Sequence, residues 1–352
     1  MTLSPSDQRL LRDVSPAAPN GDAATSRHGD PLSPDEALSD VSIIIVSHNC
    51  RDYLERTLRA VTGRAYEVVV VDNASSDGSV ELVRAGFPDV RLLALETNRG
   101  FGAANNAAMH VAHGRYFLLL NPDAWPLDDA VERLAAFADE HPRSAVVGPR
   151  LVNEDFSPQR SVFGYPLRPL SLAAWTAFPH AVSGLYTASK RLRNGNGLSP
   201  PDPEGRTNGH GGAVAPSEFL SGAALLLRRD AVEAVGGFDE RFFMYSEETD
   251  LIYRLRQAGW CVDFCSDAEF VHIGGASTRR VKSRMYREQL LSYLRFLAKH
   301  DGPTRAEQAR RWLVHALRLR AVFAGDGQAD MYRDSARWFA SAPADELLRD
   351  SD

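Results

Sequence analysis

The 352-residue sequence contains no uncharged apolar run of about 18 residues, the length a helix needs to cross a bilayer, so no segment is expected to span a membrane. A basic surplus is missing too. Its 40 Lys and Arg stand against 46 Asp and Glu, a formal net charge of −6, which argues against a protein that coats nucleic acid. Cysteine is scarce, with three in the chain. Cys261 and Cys265 are predicted on one strand, where a rise of about 3.3 Å per residue sets them roughly 13 Å apart, out of disulfide reach. Cys50 stands alone and no zinc-type spacing occurs, so all three read as small buried hydrophobes. Residues 1–40 carry no apolar segment of the secretory kind and are rich in Ser, Pro, Ala and Asp; they are expected to form a disordered tail on a cytoplasmic protein.

What is present is a hydrophobic content of 44%, enough for a substantial core. Short apolar runs at Ser42–Ser47, Glu67–Asp72, Val90–Leu95, Arg115–Leu120 and Ser144–Gly148 read as buried strands. Helical spacing lies between them: Leu54, Leu58 and Val61, then Phe101–Ala112 and Leu127–Asp139. Strand and helix alternating at this pitch predict a doubly wound α/β fold with a mostly parallel sheet.

Such sheets bind ligands at the carboxyl ends of their strands. Three predicted strand ends carry polar residues: Ser47-His48-Asn49, Asp72-Asn73 and Asn121-Pro122-Asp123. Each taken singly also fits a turn cap. Beside them a glycine turn, Asn98 to Asn106, enters a helix whose N–H groups are expected to face an anion. Gly100-Phe-Gly102-Ala-Ala-Asn105 falls short of a dinucleotide fingerprint, since it follows the third strand and ends in Asn105. A carboxylate, Asp123, beside such a turn points to a metal-bridged diphosphate.

Leu151–Pro216 has no clean period. Trp175, Phe178 and Tyr186 suggest a packed or acceptor-facing excursion, and residues 193–216 read as a mobile loop. Glu218–Leu227 is predicted as one buried strand and Trp260–Phe264 as another, with a short helix from Asp230 stopping at Gly236-Gly237. A helix projected from Glu247 puts Glu248 on the stripe of Leu251, Ile252 and Leu255, turned inward. Glu247 and Asp250 fall on the other stripe, free to meet arginines or solvent. A carboxylate facing the interior needs partners or a task, and burial would raise its pKa towards that of a general base. His272 follows an apolar run, where a histidine is ordinarily a satisfied core residue. Its pairing with Asp123 makes it a candidate metal ligand. The C-terminal part is helical, and its arginines with Trp312, Leu313 and Leu317 fit a solvated lid or an interfacial helix on anionic lipid.

Together these motifs, running from about Val41 to Ser277, resemble the family 2 glycosyltransferases of the GT-A fold, in particular the bacterial rhamnosyltransferase-like branch. The resemblance implies a GT-A domain over 41–280 and a helical extension over 281–352. It implies that Ser47, Asn49, Asp72 and Asn73 hold the nucleotide base and ribose, that Asn98, Gly102 and Asn105 line the sugar-nucleotide pocket with Asn121 on the same side, and that Asp123 and His272 bind Mg²⁺ or Mn²⁺. Glu248 would be the base of an inverting displacement. The DxD motif reads Asn-Pro-Asp here and the usual Glu-Asp pair reads Glu247-Glu248. The donor implied is dTDP-L-rhamnose, with UDP-hexoses or UDP-galactofuranose as alternatives. The acceptor implied is a polyprenyl-diphosphate-linked or cell-wall glycan, met by a cytoplasmic enzyme that can sit peripherally on the membrane's inner face. Outside the family, a sugar nucleotidylyltransferase or a silent nucleotide-sugar binding protein would use a similar sheet.

Overall fold

The computed structural model describes residues 40–164, 172, 174, 176–177, 212–214, 218–274 and 282–342. The expected tail, most of the 193–216 loop, and Trp175, Phe178 and Tyr186 lie outside the described residues. The chain runs β1 (Val41–Ser47), α1 (Arg51–Val61), β2 (Glu67–Asn73), α2 (Ser79–Gly86), β3 (Arg91–Leu95), α3 (Phe101–Val111), β4 (Tyr116–Leu120), β5 (Ala124–Pro126), α4 (Ala130–Glu140) and β6 (Ser144–Val152). It continues through β7 (Pro158–Gln159), β8 (Val162–Gly164), β9 (Gly212–Ala213), β10 (Glu218–Leu220), β11 (Ala224–Arg228), α5 (Arg229–Ala234), α6 (Glu247–Gln257) and β12 (Cys261–His272). It ends in α7 (Lys282–Asp301), α8 (Pro303–Phe323) and α9 (Asp326–Ser341).

The main sheet has the order β3-β2-β1-β4-β11-β6-β12-β5. β3, β2, β1 and β4 are mutually parallel, β11 runs against both β4 and β6, and β12 lies parallel to β6. This is the GT-A arrangement. Side chains alternate along a strand, so β1 feeds two cores: Ile43 and Ile45 pack on one face with Leu54 and Leu118, Ile44 and Val46 on the other with Leu119 and Leu251.

Two strand expectations need correction. Glu218–Leu227 breaks at Ser221, so that β10 joins β8 in a separate two-stranded sheet while β11 enters the main one. Apolar composition alone did not reveal the turn. The strand expected over Trp260–Phe264 continues to His272, and it pairs with the unforeseen three-residue β5 so that His272 lies opposite Ala124. That register brings His272 beside Asp123.

Helices α7 to α9 share a separate core that includes Leu294, Leu297, Leu313, Leu317 and Phe339. Asp250 ties them to the sheet domain. Fully buried on α6, it takes Arg254 Nε at 2.7 Å from its own helix and Lys299 Nζ at 2.6 Å and His300 Nε2 at 2.7 Å from α7.

Candidate active site

β1 and β2 pair in parallel with Ser47 opposite Asp72, so their polar ends are neighbours by register. Asp72 Oδ1 accepts the Ser75 N–H, but Asp72 Oδ2 and Ser47 Oγ are buried without a hydrogen-bond partner. Leaving such groups unmatched costs about 1–3 kcal/mol each, which marks the strand ends as a place for a ligand. Asn49, at a positive φ of 53°, accepts the Ser76 N–H and so pins one loop to the next.

Asn73 braces the glycine turn: its Oδ1 accepts the Arg99 N–H and its Nδ2 donates to Gly100 O. Asn98 Oδ1 takes the Gly100 N–H, and Phe243 O takes that of Phe101. These N–H groups are therefore engaged, a correction to the open anion cradle expected from the sequence; only Gly102 and Ala103 remain in the helix's first turn. A Cβ on Gly100 would lie 2.2 Å from Phe243 O, and one on Gly102 would lie 3.2 Å from Phe238 Cβ. Close packing explains these glycines, and Gly102 backs onto protein rather than an open pocket. Asn105 donates to Phe101 O while its buried Oδ1 has no partner.

Across the sheet, Asp123 Oδ1 lies 3.5 Å from His272 Nε2, both side chains largely buried. Gln159 fixes the ring. Its amide nitrogen donates to the His272 carbonyl and to Asn153 Oδ1, each at 3.0 Å, so its Oε1 must be the atom 2.7 Å from His272 Nδ1. An amide oxygen only accepts; Nδ1 therefore carries a hydrogen, and Nε2 is the ring atom turned to the carboxylate. A ring nitrogen oriented by a hydrogen bond at its other nitrogen, next to a carboxylate oxygen, is a donor pair suited to sharing a cation.

Asn121 hydrogen-bonds from its backbone N–H to Ala223 O, and on the other side of that turn Gly222 makes room for Glu248, whose Oε1 lies 3.6 Å from where a Cβ on Gly222 would be. Glu248 reaches the wall of a cavity of about 530 Å³. The two residues before α6, Tyr245 and Ser246, both hold positive φ, strain of the kind stored at functional sites. Burial pushes the Glu248 carboxyl up, opposed by N–H groups of the helix start. Glu247 is pushed further, by burial and then by the charge of Glu248. Here the helix-face reading needs correction. Glu247 is buried against α3 with an unpartnered Oε2; Asp250 meets Arg254 as that reading allowed but is also inside, because α3 and α7 cover the face that a single-helix projection leaves to solvent.

The sequence profile of Glycosyl transferase family 2 matches residues 42–169. The N-acetylglucosaminyl-diphospho-decaprenol L-rhamnosyltransferase of Mycobacterium tuberculosis (strain ATCC 25618 / H37Rv) is 30% identical over 295 residues, 79% of this chain and 91% of the relative. The chain belongs to glycosyl transferase family 2. The family 2 chain is also similar to rhamnosyltransferase WbbL of Escherichia coli (strain K12), at 26% identity over 74% of this chain and 93% of the relative. It is therefore a glycosyltransferase of the rhamnosyltransferase-like branch, which sets aside the nucleotidylyltransferase and silent-binder readings. In fold it is similar to GalNAc-T7, whose structure holds UDP, GalNAc and Mn²⁺: the TM-score is 0.54 at 18% identity, over 89% of this chain and 58% of that one.

Among the residues of this family 2 transferase that the sequence reading passed over, Gln159 and Gly222 stand out. Gln159 lies in a stretch without periodicity, and its partner is 113 positions away. Gly222 had a local signal, a Ser-Gly pair inside an apolar run. Among the described residues, no group of three or more His, Cys, Asp or Glu side chains forms a complete metal cage.

Proposed function

We propose that this enzyme is an inverting, metal-dependent transferase that moves a sugar, in the first instance L-rhamnose from dTDP-L-rhamnose, to a hydroxyl of a lipid-linked or cell-wall glycan. The observation that carries it is the Asp123–His272 pair, with Nδ1 of the ring fixed by Gln159 and Nε2 turned towards the carboxylate. One carboxylate and one imidazole suit Mg²⁺ or Mn²⁺ as an incomplete donor set, to be filled by diphosphate oxygens and water. A divalent ion held there would offset the charge appearing on the departing nucleoside diphosphate.

The unmatched Ser47 Oγ, Asp72 Oδ2 and Asn105 Oδ1 are offered to the nucleotide and its sugar. Asn49, Asn73 and Asn98 shape the loops around them, and Asn121 anchors the strand end. Glu248 takes the proton from the acceptor hydroxyl as that oxygen attacks the anomeric carbon, a contribution of about 10²–10⁴-fold. Glu248 is the single carboxylate lining the cavity among the described residues, which favours one direct displacement over a route through a glycosyl-enzyme.

We assign residues 41–280 to the transferase domain and 281–352 to an extension that also meets the membrane surface. No helix among the described residues is long and apolar enough to cross a bilayer. On α8, however, Trp312, Leu319, Val322 and Phe323 are exposed beside the exposed Arg311 and Arg318. Loss of co-sedimentation with anionic vesicles in Trp312→Ser/Phe323→Ser supports this contact; unchanged binding refutes it.

The decisive experiment is a panel of dTDP- and UDP-sugars assayed for donor hydrolysis and transfer, with and without Mn²⁺. Turnover of dTDP-L-rhamnose that chelation abolishes is the expected result. Full activity in chelator, or preference for a UDP-sugar, overturns the metal or the donor assignment respectively.

A further inference from the structure

The cavity below Glu248 is built from two sources. One wall comes from the sheet domain, with Arg160, Phe163, Phe219 and Gly222; the other comes from the C-terminal helices, with Tyr286 and Tyr293 on α7, Arg320 on α8 and Tyr332 on α9. Its size is that of a site for a small organic ligand.

Its chemistry is uneven in an informative way. Phe163 and Phe219 stack at 5.6 Å, and Tyr286 meets Tyr332 edge to face at 5.6 Å. These rings offer flat apolar surface with polar tips. The Tyr293 hydroxyl is buried without a hydrogen-bond partner, as is Glu248 Oε2. The two guanidiniums are held by neutral groups alone. Arg160 donates to Val162 O and lies over the Phe163 ring, while Arg320 donates to Ala177 O and lies over the Tyr332 ring. Among the described residues neither has a carboxylate partner. Several other arginines of the extension are paired, Arg310 and Arg311 with Glu307, Arg333 with Asp330, Arg337 with Asp334. With one anionic side chain on the wall and two unneutralised guanidiniums, the cavity is complementary to a ligand that brings its own negative charge.

We propose that this cavity is the acceptor site, that the C-terminal helices form half of it, and that Arg160 and Arg320 bind the diphosphate of a glycosyl-diphosphate acceptor whose sugar hydroxyl is presented to Glu248. The proposal rests on the transferase reading above, including its diphosphate-linked acceptor, and adds where that acceptor binds and which residues hold its diphosphate. The aromatic rings take the apolar faces of the sugar and the first part of the lipid chain, and Tyr293 supplies a hydrogen bond to a sugar oxygen. The extension is then a recognition element, so a transferase domain carrying a different C-terminal segment would select a different acceptor.

The test is calorimetry on the full chain with two probes: an alkyl-diphosphate-linked N-acetylglucosamine and the neutral alkyl glycoside of the same sugar. The wild type is expected to bind the diphosphate probe at least about tenfold more tightly. Arg160→Gln and Arg320→Gln should each cut that preference severalfold and leave affinity for the neutral glycoside in place. Because the readout is a ratio within one protein sample, partial misfolding does not imitate it. Equal binding of both probes by the wild type, or a preference that survives both substitutions, overturns the proposal. So does weakened dTDP or UDP binding in the variants, which would assign the arginines to the donor. Absence of nucleotide binding by the wild type counts against the transferase reading instead, whatever the probes do.

Discussion

At the carboxyl ends of β1 and β2 most polar side chains are bonded to one another, and a few isolated oxygens are left for a ligand. Asn49 and Asn73 each hold a neighbouring loop and Asn98 closes its own turn, while Ser47, Asp72 and Asn105 each keep one buried atom unmatched. Around the cavity larger groups are left open: Glu248 Oε2 and the Tyr293 hydroxyl have no hydrogen-bond partner, and the guanidiniums of Arg160 and Arg320 have no carboxylate partner among the described residues. The first region is set by strand register, which fixes neighbours to within one residue. The second is assembled from β8, β10, α6 and three later helices, so its shape depends on how the extension docks. A preorganised donor side and an assembled acceptor side suit one nucleotide chemistry combined with variable acceptors.

The sharpest break in that comparison concerns Glu248. Glu248→Gln should lower sugar transfer about 10²–10⁴-fold while nucleotide affinity stays within a fewfold, since the lost function is proton acceptance on the acceptor side. Glu247→Gln, which reaches no cavity, should be milder. Equal losses from the two substitutions would erase the distinction between them.

The sequence disclosed the donor side more fully than the acceptor side, for a physical reason. Parallel strands buried on both faces are written as continuous apolar runs, so Ser42–Ser47, Glu67–Asp72 and Arg115–Leu120 were visible, and their polar ends with them. Asp123 and His272 were named as a pair, but the element that brings them together, the three-residue β5, is too short to leave a pattern. The arginine partner expected for Asp250 is found in Arg254, but the burial of Glu247 and Asp250 was missed because the projection of α6 contains no information about the helices packed over it. The cavity was invisible, since its residues come from segments separated by more than 150 positions that meet through tertiary packing alone.

Next in size is the effect at Gln159, which tests whether the metal pair is set by register alone. Gln159→Met fills similar space but cannot accept from His272 Nδ1, so the ring loses the hydrogen bond that fixes it. Affinity for Mn²⁺ in the presence of nucleotide, read by titration of the Mn²⁺ electron paramagnetic resonance signal, should fall about 10–100-fold. Gln159→Glu keeps an acceptor at that position and should recover most of it. Unaltered Mn²⁺ binding by the Met variant would mean that β5 and β12 position the ring unaided.

The smallest expected effect separates the two buried acids of α6 by the sign of their pH dependence. Burial raises the Glu247 carboxyl above its unfolded value, so the folded state holds that proton more tightly; the associated stability is present at low pH and is lost as pH rises through the folded value. Asp250 is the converse. Burial works against its charge, but the hydrogen bond from His300 and the cations Arg254 and Lys299 prevail and hold its carboxyl below the usual range. Its contribution is present above the unfolded pKa and disappears as pH falls through the folded one. Replacing each acid by its amide removes the titration and adds a constant offset from the new NH₂ group. The melting temperature of Glu247→Gln relative to wild type should therefore climb by about 2–4 °C between pH 4 and pH 9, the scale of roughly 1 kcal/mol in a domain of 150–250 residues. For Asp250→Asn the deficit should instead be greatest near neutrality and shrink on acidification. Parallel curves for the two variants would show that the helices of the extension do not impose opposite environments on the two sides of α6.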